Sequence, residues 1–376
     1  QLDYIIDSFS KTKVRKMKPF IRNLLRMSVY QIKYMDAVPD SAVCNEAVKL
    51  AKRHKFAQLS GFVNGVLRNI ARNIDSVQFD TLSIRYSMPQ WIVDRFVAAY
   101  GEKKAEEIFK AFHNKSTISI RTNLTRCTPD ELRATLEAEG VTVTAIDELN
   151  YAFVISGFDY LNGLQSFRDG LFYVQDISSM LVAQTAAPKK GDYVIDVCAA
   201  PGGKSTHIAE LLQGSGHVLA RDLTDNKVDM IEENIDRHGL NNMSAEVWDA
   251  TVFDADSAGK ADILICDLPC SGLGVLGRKK DIRYKMTPES VDELAALQRQ
   301  ILDTVHTYVK PNGVLVYSTC TIDEAENEDN VRWFIEKHPE FELDKSFAEG
   351  TGMKQILPGE HGSDGFFIAR FIKSKL

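Results

Sequence analysis

The sequence predicts an α/β protein whose C-terminal half forms a mostly parallel, doubly wound sheet, preceded by a small α/β module and an all-helical segment. Three observations lead to this prediction. Apolar residues recur at helical spacing in residues 1–78, strand-like and helix-like segments alternate from about residue 177, and residues 194–206 have the pattern of a strand, a tight loop and a helix. Ligands bind such sheets at the carboxyl ends of the strands, so we expect the functional site there.

Residues 1–78 are predicted to be helical and basic. Residues 1–75 contain 14 Lys and Arg against 6 Asp and Glu, a balance of +8, whereas the whole chain carries −7. A basic module on an acidic body indicates a polyanionic partner, although charge alone equally allows a solvated helical surface. The apolar positions with helical spacing are Ile21, Leu24, Leu25, Val29, Phe62, Val66 and Ile70.

Residues 79–176 are predicted to form the small α/β module. Strand-like segments at 117–123, 141–146 and 151–155 surround a helix at 129–139. No combination of residues in this segment has a catalytic signature. We therefore expect no catalytic residues in it.

Residues 177–376 alternate between strands and helices, which is typical of a parallel sheet. The predicted strands are 193–197, 217–222, 245–248, 261–267 and 313–319, and the predicted helices lie near 204–213, 226–238, 289–309 and 323–337. A last strand at 365–372 is expected to pair antiparallel at one edge of the sheet.

The stretch VIDVCAAPGGKST at 194–206 allows several interpretations. It ends like a phosphate-binding P-loop, but Cys198 stands where that motif needs its first glycine, and the G-x-G-x-x-G pattern of dehydrogenases is absent. The pattern acid-x-small-x-small-x-Gly of methyltransferase loops is met by Asp196, Cys198, Ala200 and Gly202. An ordinary strand–turn–helix without a ligand also remains open for this stretch alone.

Composition excludes several other classes of protein. The chain has 376 residues, of which 44% are hydrophobic and 26% charged, as in ordinary soluble proteins. No apolar run approaches the ~20 residues that span a bilayer, and no signal-peptide pattern is present. None of the six cysteines forms a C-x-x-C pair, so we expect no metal, no disulfide framework and a cytoplasmic location.

Polar residues follow four of the predicted strands. Asp222 is placed to accept hydrogen bonds from ribose hydroxyls, and Asp249 to accept one from an adenine amino group. Asp267 and Cys270 follow the fourth strand, and Cys320 follows the fifth. Cys320 also precedes a predicted helix, whose positive end would favour a thiolate. Each strand-end acid taken singly is more often a helix cap. Four such strand ends would face the same crevice, however, and this favours a functional role.

Three motifs make the sequence resemble a known family. Residues 196–204 (DVCAAPGGK), 267–272 (DLPCSG) and 318–321 (STCT) are similar to the signature motifs of RNA cytosine-C5 methyltransferases of the Sun family, which use S-adenosylmethionine. The resemblance implies a Rossmann-like class I methyltransferase domain at 177–376. Its implied cofactor-binding residues are Cys198, Ala199, Ala200, Pro201, Gly202, Gly203, Lys204, Asp222, Asp249 and Asp267.

The N-terminal segment resembles a NusB-like RNA-binding domain. The similarity rests on 39–43 (PDSAV), 45–48 (NEAV) and 61–64 (GFVN). This domain, assigned to 1–78, is expected to lack its first helices, with a linker module at 79–176. The pairing of domains implies a monomeric enzyme acting on 16S ribosomal RNA, without a membrane or a metal.

The resemblance also implies a mechanism. Cys320 would attack C6 of the cytosine, Asp267 would hold the base edge with support from Lys204, and Cys270 would assist release. DNA cytosine methyltransferases use a cysteine placed like Cys270 as the nucleophile, so the inverted assignment is the alternative. A rival of another class is a non-catalytic RNA-binding or ribosome-assembly factor. The basic run Arg278, Lys279, Lys280, Arg283 and Lys285 is interpreted as a phosphate contact.

Overall fold

The computed structural model describes residues 1–114 and 117–375, which fall into two compact units, Gln1–Val97 and Ala98–Leu376. The three-part division at residues 78 and 176 remains a prediction. No helix in the described ranges is both long and apolar enough to cross a bilayer.

The first unit is built from helices. Leu24 and Leu25 lie three and four residues after Ile21 on one face of the second helix, and all three are buried with Ile70 of the fourth. Burying each such side chain contributes about 1.5–3 kcal/mol, so this shared core holds the helices together. The helices are α1 (Leu2–Phe9), α2 (Pro19–Tyr34), α3 (Asp40–Arg53), α4 (Ser60–Asn73), α5 (Leu82–Tyr86) and α6 (Gln90–Tyr100), the last of which runs into the second unit.

The second unit begins with an antiparallel sheet of four strands in the order β2-β3-β1-β4. Its strands are β1 (Ile118–Thr122), β2 (Thr142–Ala145), β3 (Ala152–Ser156) and β4 (Phe172–Val174), and its helices are α7 (Glu102–Ala111), α8 (Pro129–Ala138) and α9 (Gln165–Arg168). The first three strands and α8 confirm the sequence prediction. The prediction missed β4, because three residues are too few to show an alternating pattern.

A capping box explains where α8 begins. The backbone N–H of Thr128 donates to Oε2 of Glu131 at 2.8 Å, and the N–H of Glu131 donates to Oγ1 of Thr128 at 3.3 Å. These bonds satisfy two donors that a helix N-terminus leaves unpaired.

The rest of the second unit is an eight-stranded sheet in the order β10-β12-β9-β8-β5-β6-β7, with β11 paired to β12. Strands β5 to β9 run parallel, and helices alternate with them along the chain. The strands are β5 (Tyr193–Asp196), β6 (His217–Asp222), β7 (Met243–Val247), β8 (Ala261–Asp267), β9 (Val309–Thr319), β10 (Phe341–Leu343), β11 (Met353–Ile356) and β12 (Phe366–Lys373). The helices are α10 (Ile177–Ala186), α11 (Gly203–Leu211), α12 (Asp225–His238), α13 (Ile282–Lys285), α14 (Pro288–Val305) and α15 (Glu328–Lys337).

The position of the last strand differs from the prediction. β12 is antiparallel to β9, as expected, but β10 and β11 pair with it on its other side, so β12 is not an edge strand. Both additional strands are short, and their order in the sheet depends on contacts that a sequence pattern does not record.

Both faces of the large sheet are buried. Leu264 packs into one apolar cluster, whereas its neighbours Ile263 and Ile265 pack into the cluster on the other side. A strand covered on both faces needs a continuous apolar run, which is the pattern of β8. The parallel strands therefore end together at one edge, where Asp196, Asp222 and Asp267 lie.

Candidate active site

The loop between β5 and α11 is shaped by glycine. Gly202 has φ +103°, a backbone conformation that side chains rarely allow, and a Cβ on Gly203 would lie 3.1 Å from the ring of Tyr173. Asp196, at the end of β5, is buried and accepts a hydrogen bond from Ser205 Oγ. Burial raises the pKa of Asp196 to about 7. The loop thus places glycine backbone, which a ligand can approach closely, next to a buried carboxyl group at the end of β5.

Backbone hydrogen bonds hold the small-residue part of this loop. The N–H of Ala199 donates to the carbonyl of Arg221 at 2.8 Å, and the carbonyl of Pro201 accepts from Nδ2 of Asn234 at 2.9 Å. Cys198 is half-buried, and burial raises the pKa of its thiol. A protonated, partly enclosed Cys198 acts as a small packing residue rather than a nucleophile.

Asp222 and Asp249 lie at the ends of β6 and β7, as predicted. Asp222 accepts from the N–H of Ala200 at 2.9 Å and pairs with Nζ of Lys227 at 2.8 Å. Asp249 is exposed, and its Oδ1 accepts from the N–H of Thr251 at 2.8 Å. The sequence analysis missed Lys227. Its position in the first turn of the helix, five residues after an aspartate at a strand end, could have indicated the ion pair.

Lys204 and Asp267 form a pair across the crevice. Nζ of Lys204 lies 2.6 Å from Oδ2 of Asp267, and Oγ of Ser318 donates to Oδ1 of Asp267 at 2.7 Å. Burial opposes the charge on Lys204, but the carboxylate of Asp267 raises the pKa of the lysine. Residues of three motifs, separated along the chain by 63 and 51 residues, therefore meet at one carboxylate.

Cys270 and Cys320, the cysteines of the second and third motifs, face each other. Their Sγ atoms lie 3.2 Å apart, within hydrogen-bond distance for sulfur. This hydrogen bond lowers the pKa of Cys320, and the charges of Lys204 and Lys279 act in the same direction against burial. The same bond and burial raise the pKa of Cys270. The pair is thus biased toward a Cys320 thiolate that accepts a hydrogen bond from a Cys270 thiol.

The predicted reason for the Cys320 thiolate was wrong. Helix α15 begins at Glu328, eight residues after Cys320, so its N-terminus does not follow the cysteine directly. The residues between form turns instead of the expected start of a helix near 323. The neighbouring thiol and lysines, and not a helix end, lower the pKa of Cys320.

The basic run after the second motif is only partly available for a phosphate. Arg278 forms ion pairs with Asp176 and Asp364 at 2.8 and 2.6 Å, and Arg283 is buried and donates to a backbone carbonyl. These two arginines hold the loop. Arg278 is exposed despite its ion pairs, and the other exposed members of the run are Lys279, Lys280 and Lys285, of which Lys285 pairs with Asp281 at 2.7 Å.

One group of side chains elsewhere has a metal-like arrangement. Asp303, His306 and His338 place ligand atoms within 4.8 Å of one another. Nζ of Lys337 already lies 2.8 Å from the carboxylate of Asp303. The expectation that the chain holds no metal remains a prediction.

Family models match three parts of the chain. Residues 183–372 match the 16S rRNA methyltransferase RsmB/F model, residues 1–72 the NusB family, and residues 88–158 the ferredoxin-like domain of the RsmF/B-like methyltransferases. The first model covers half of the chain and contains the loop after β5, the Lys204–Asp267 pair and both motif cysteines.

Relatives extend this similarity to the whole chain. A probable ribosomal RNA small subunit methyltransferase B of Bacillus subtilis is 38% identical over 99% of this chain and 87% of its own, and one of Synechocystis is 32% identical with the same coverage. The crystal structure of NSun6 from Pyrococcus horikoshii with SFG, an S-adenosylmethionine analogue, has a TM-score of 0.70 at 25% identity, covering 77% of this chain and 99% of that one. The chain therefore belongs to the 16S rRNA methyltransferase RsmB/F family and is an S-adenosylmethionine-dependent methyltransferase with a NusB domain.

Proposed function

We propose that this protein transfers a methyl group from S-adenosylmethionine to C5 of a cytosine in 16S ribosomal RNA, through a covalent bond between Cys320 and C6 of the base. The observation that carries the proposal is the pair of facing sulfurs, 3.2 Å apart, beside the Lys204–Asp267 ion pair. A methyltransferase acting on an already nucleophilic atom needs no thiolate, whereas cytosine C5 becomes nucleophilic only after a nucleophile adds at C6.

The residues at the strand ends fit the cofactor. Among the described residues, no hydrogen-bond donor reaches Oδ1 of buried Asp196, which suits it to accept from an ammonium group. Asp222 presents its carboxylate to ribose hydroxyls, and the exposed apolar side chain of Leu223 follows it, as an adenine ring requires. The loop 198–204 and Asp249 complete the proposed binding site. When bound, S-adenosylmethionine supplies an electrophilic methyl group.

The chain's own residues perform the steps on the base. The Cys320 thiolate adds to C6, and the electron pair of the C5–C6 double bond moves so that C5 takes the methyl group. Asp267, held by Lys204 and Ser318, accepts a hydrogen bond from the exocyclic amino group of the base. The C5 proton then passes to water, and the C6–Sγ bond breaks with its electron pair returning to Cys320. The thiol of Cys270 stabilises that departing thiolate by hydrogen bonding.

The substrate cytosine must lie outside a base stack, because a side chain cannot reach C6 within a duplex. An unpaired cytosine, or one flipped out, satisfies this requirement. Exposed Lys279 and Lys280 lie on the loop that follows Cys270, where they suit flanking phosphates. The basic residues of the first unit supply further contacts to RNA.

The test is methyl transfer to a defined position. The purified protein is incubated with methyl-labelled S-adenosylmethionine and 16S ribosomal RNA from a strain that lacks the enzyme, and bisulfite sequencing locates 5-methylcytosine. We expect one protected cytosine with the natural protein and none with Cys320→Ala. Label on another base or atom would contradict the C5 assignment, and RNA binding without any transfer would favour the assembly-factor alternative.

A further inference from the structure

The turn that carries Cys270 is held by two buried polar side chains from other elements. Glu326 precedes α15, and its Oε1 accepts from the N–H of Ser271 at 2.8 Å, while its Oε2 accepts from Ser271 Oγ. Gln298, on α14, donates from Nε2 to Glu326 at 3.0 Å and to the carbonyl of Pro269 at 2.8 Å. The bonds therefore fix the backbone on both sides of Cys270.

The carboxylate of Glu326 is enclosed. Glu326 and Gln298 are 0% exposed, and within the described residues no Lys or Arg forms an ion pair with Glu326. Burial raises the pKa of Glu326, with a further rise from the charge of Asp323, and the hydrogen bonds from Ser271 and Gln298 offset part of that rise. Three donors converge on this group, which is how proteins stabilise a buried anion without a counter-ion.

The charges around the two sulfurs are unequal. At Cys320 the hydrogen bond from Cys270 lowers the pKa, burial and the carboxylate of Asp267 raise it, and Lys204 and Lys279 lower it. At Cys270 the hydrogen bond with Cys320, burial and the charge of Cys320 raise the pKa, and the carboxylate of Glu326 adds to that rise. A negative charge beside a thiol disfavours its thiolate, and a positive charge favours it. The environment thus gives the two cysteine thiols different pKa values, although the side chains are chemically identical.

We propose that Glu326 is a positioning residue that, through Ser271 and with Gln298, holds the Cys270 turn against Cys320 and keeps the shared proton on the Cys270 sulfur. This inference rests on the proposed function, because it explains which cysteine attacks the base. Glu326 lies outside the motifs that contain Cys270 and Cys320, and it is 55 residues from its hydrogen-bond partner Ser271.

The experiment measures the reactivity of Cys270 directly, without RNA or S-adenosylmethionine. In a Cys320→Ser protein, iodoacetamide alkylation of the Cys270 peptide is followed by mass spectrometry as a function of pH. Adding Glu326→Gln should lower the midpoint pH by on the order of one unit or more, because it removes a nearby negative charge. The control Glu324→Gln, which removes an exposed carboxylate close in sequence, should leave the midpoint unchanged.

An unchanged midpoint in folded Glu326→Gln, or an equal shift in Glu324→Gln, would overturn the proposal and leave Glu326 a purely structural group. If Glu326→Gln does not fold, Glu326→Asp in the same Cys320→Ser background decides, because it keeps the charge but withdraws it from the turn by one methylene group. A lowered midpoint supports the proposal, and an unchanged midpoint refutes it. Failure of RNA methylation would not alter either result, so the two proposals fail separately.

Discussion

Nζ of Lys204 lies 2.6 Å from Oδ2 of Asp267, which joins the helix after the first strand of the parallel sheet to the end of the strand beside it. At Cys320 the carboxylate of Asp267 raises the pKa and the ammonium group of Lys204 lowers it, so Lys204 offsets the charge of the carboxylate that is proposed to bind the base. The same ion pair therefore contains the proposed base-binding group and acts on the proposed nucleophile.

Replacing Lys204 should shift the pH dependence of methylation. Because Lys204 lowers the pKa of Cys320, Lys204→Met should raise it, and less thiolate will be present at neutral pH. The acid limb of the single-turnover rate profile should move to higher pH. Lys204→Arg, which keeps the charge, should move it less. An acid limb that stays in place in Lys204→Met would contradict this account of the thiolate.

The two cysteines should give opposite results in an adduct assay. Cys320→Ala removes the proposed nucleophile and should abolish both methylation and any covalent protein–RNA complex. Cys270→Ala still allows attack and methyl transfer, but the thioether breaks slowly, so a complex should accumulate. A denaturing gel with labelled RNA detects it as a shifted band. The reverse pattern would assign attack to Cys270, as in DNA cytosine methyltransferases.

Asp222 should contribute to cofactor affinity. Asp222→Asn keeps the shape but loses the charge that pairs with Lys227, and it weakens acceptance from ribose hydroxyls, at a cost of about 1–3 kcal/mol. Calorimetric titration with S-adenosylmethionine measures the change. Asp225→Asn, on exposed Asp225 three residues away, is the matched control. Equal affinities for both variants would refute the ribose assignment.

A buried ion pair should couple the small antiparallel sheet to α11. Arg121 and Glu210 are each only 1% exposed in their side chains, and Arg121 also donates to Gln175 at 3.0 Å. Arg121→Met leaves the carboxyl group of Glu210 buried without its partner and should cost about 3–5 kcal/mol in urea unfolding.

The double variant Arg121→Met/Glu210→Leu should recover part of that loss, because no unpaired charge remains. Arg332→Met, which breaks an exposed ion pair with Asp329, is the control and should cost at most about 1 kcal/mol. Additive costs at the two buried positions would mean that Arg121 and Glu210 do not stabilise each other.

Exposed basic residues of the first unit should strengthen RNA binding in a salt-dependent way. Lys52 and Arg53 lie in the last turn of α3 and are exposed. Reversing both charges to Glu should weaken RNA binding and reduce the salt slope by about 0.7–0.9 per lost phosphate contact. Lys260→Glu, on an exposed lysine of the second unit, controls for net charge. An unchanged slope would mean that these side chains are only solvated.

The sequence by itself determined the elements whose signals are local. Strands β6 and β8 have the predicted bounds, because each contains a run of apolar residues and ends at an aspartate at the carboxyl end of the strand. It also placed Asp222, Asp267, Cys270 and Cys320 at strand ends, since strands that run parallel end at one edge. Short motifs carried this information because the chemistry needs those side chains directly after a strand.

Tertiary structure alone decided which of these groups touch and what supports them. Strands β10 and β11 are too short to have a pattern, so their pairing with β12 was invisible in the sequence. Glu326 has the same local surroundings as any acid before a helix, and its role follows only from its contact with Ser271. A hydrogen bond between residues far apart in the chain produces no repeating pattern in the sequence. The hydrophobic pattern of a helix or a strand, in contrast, recurs along the whole element and can be recognised from the sequence.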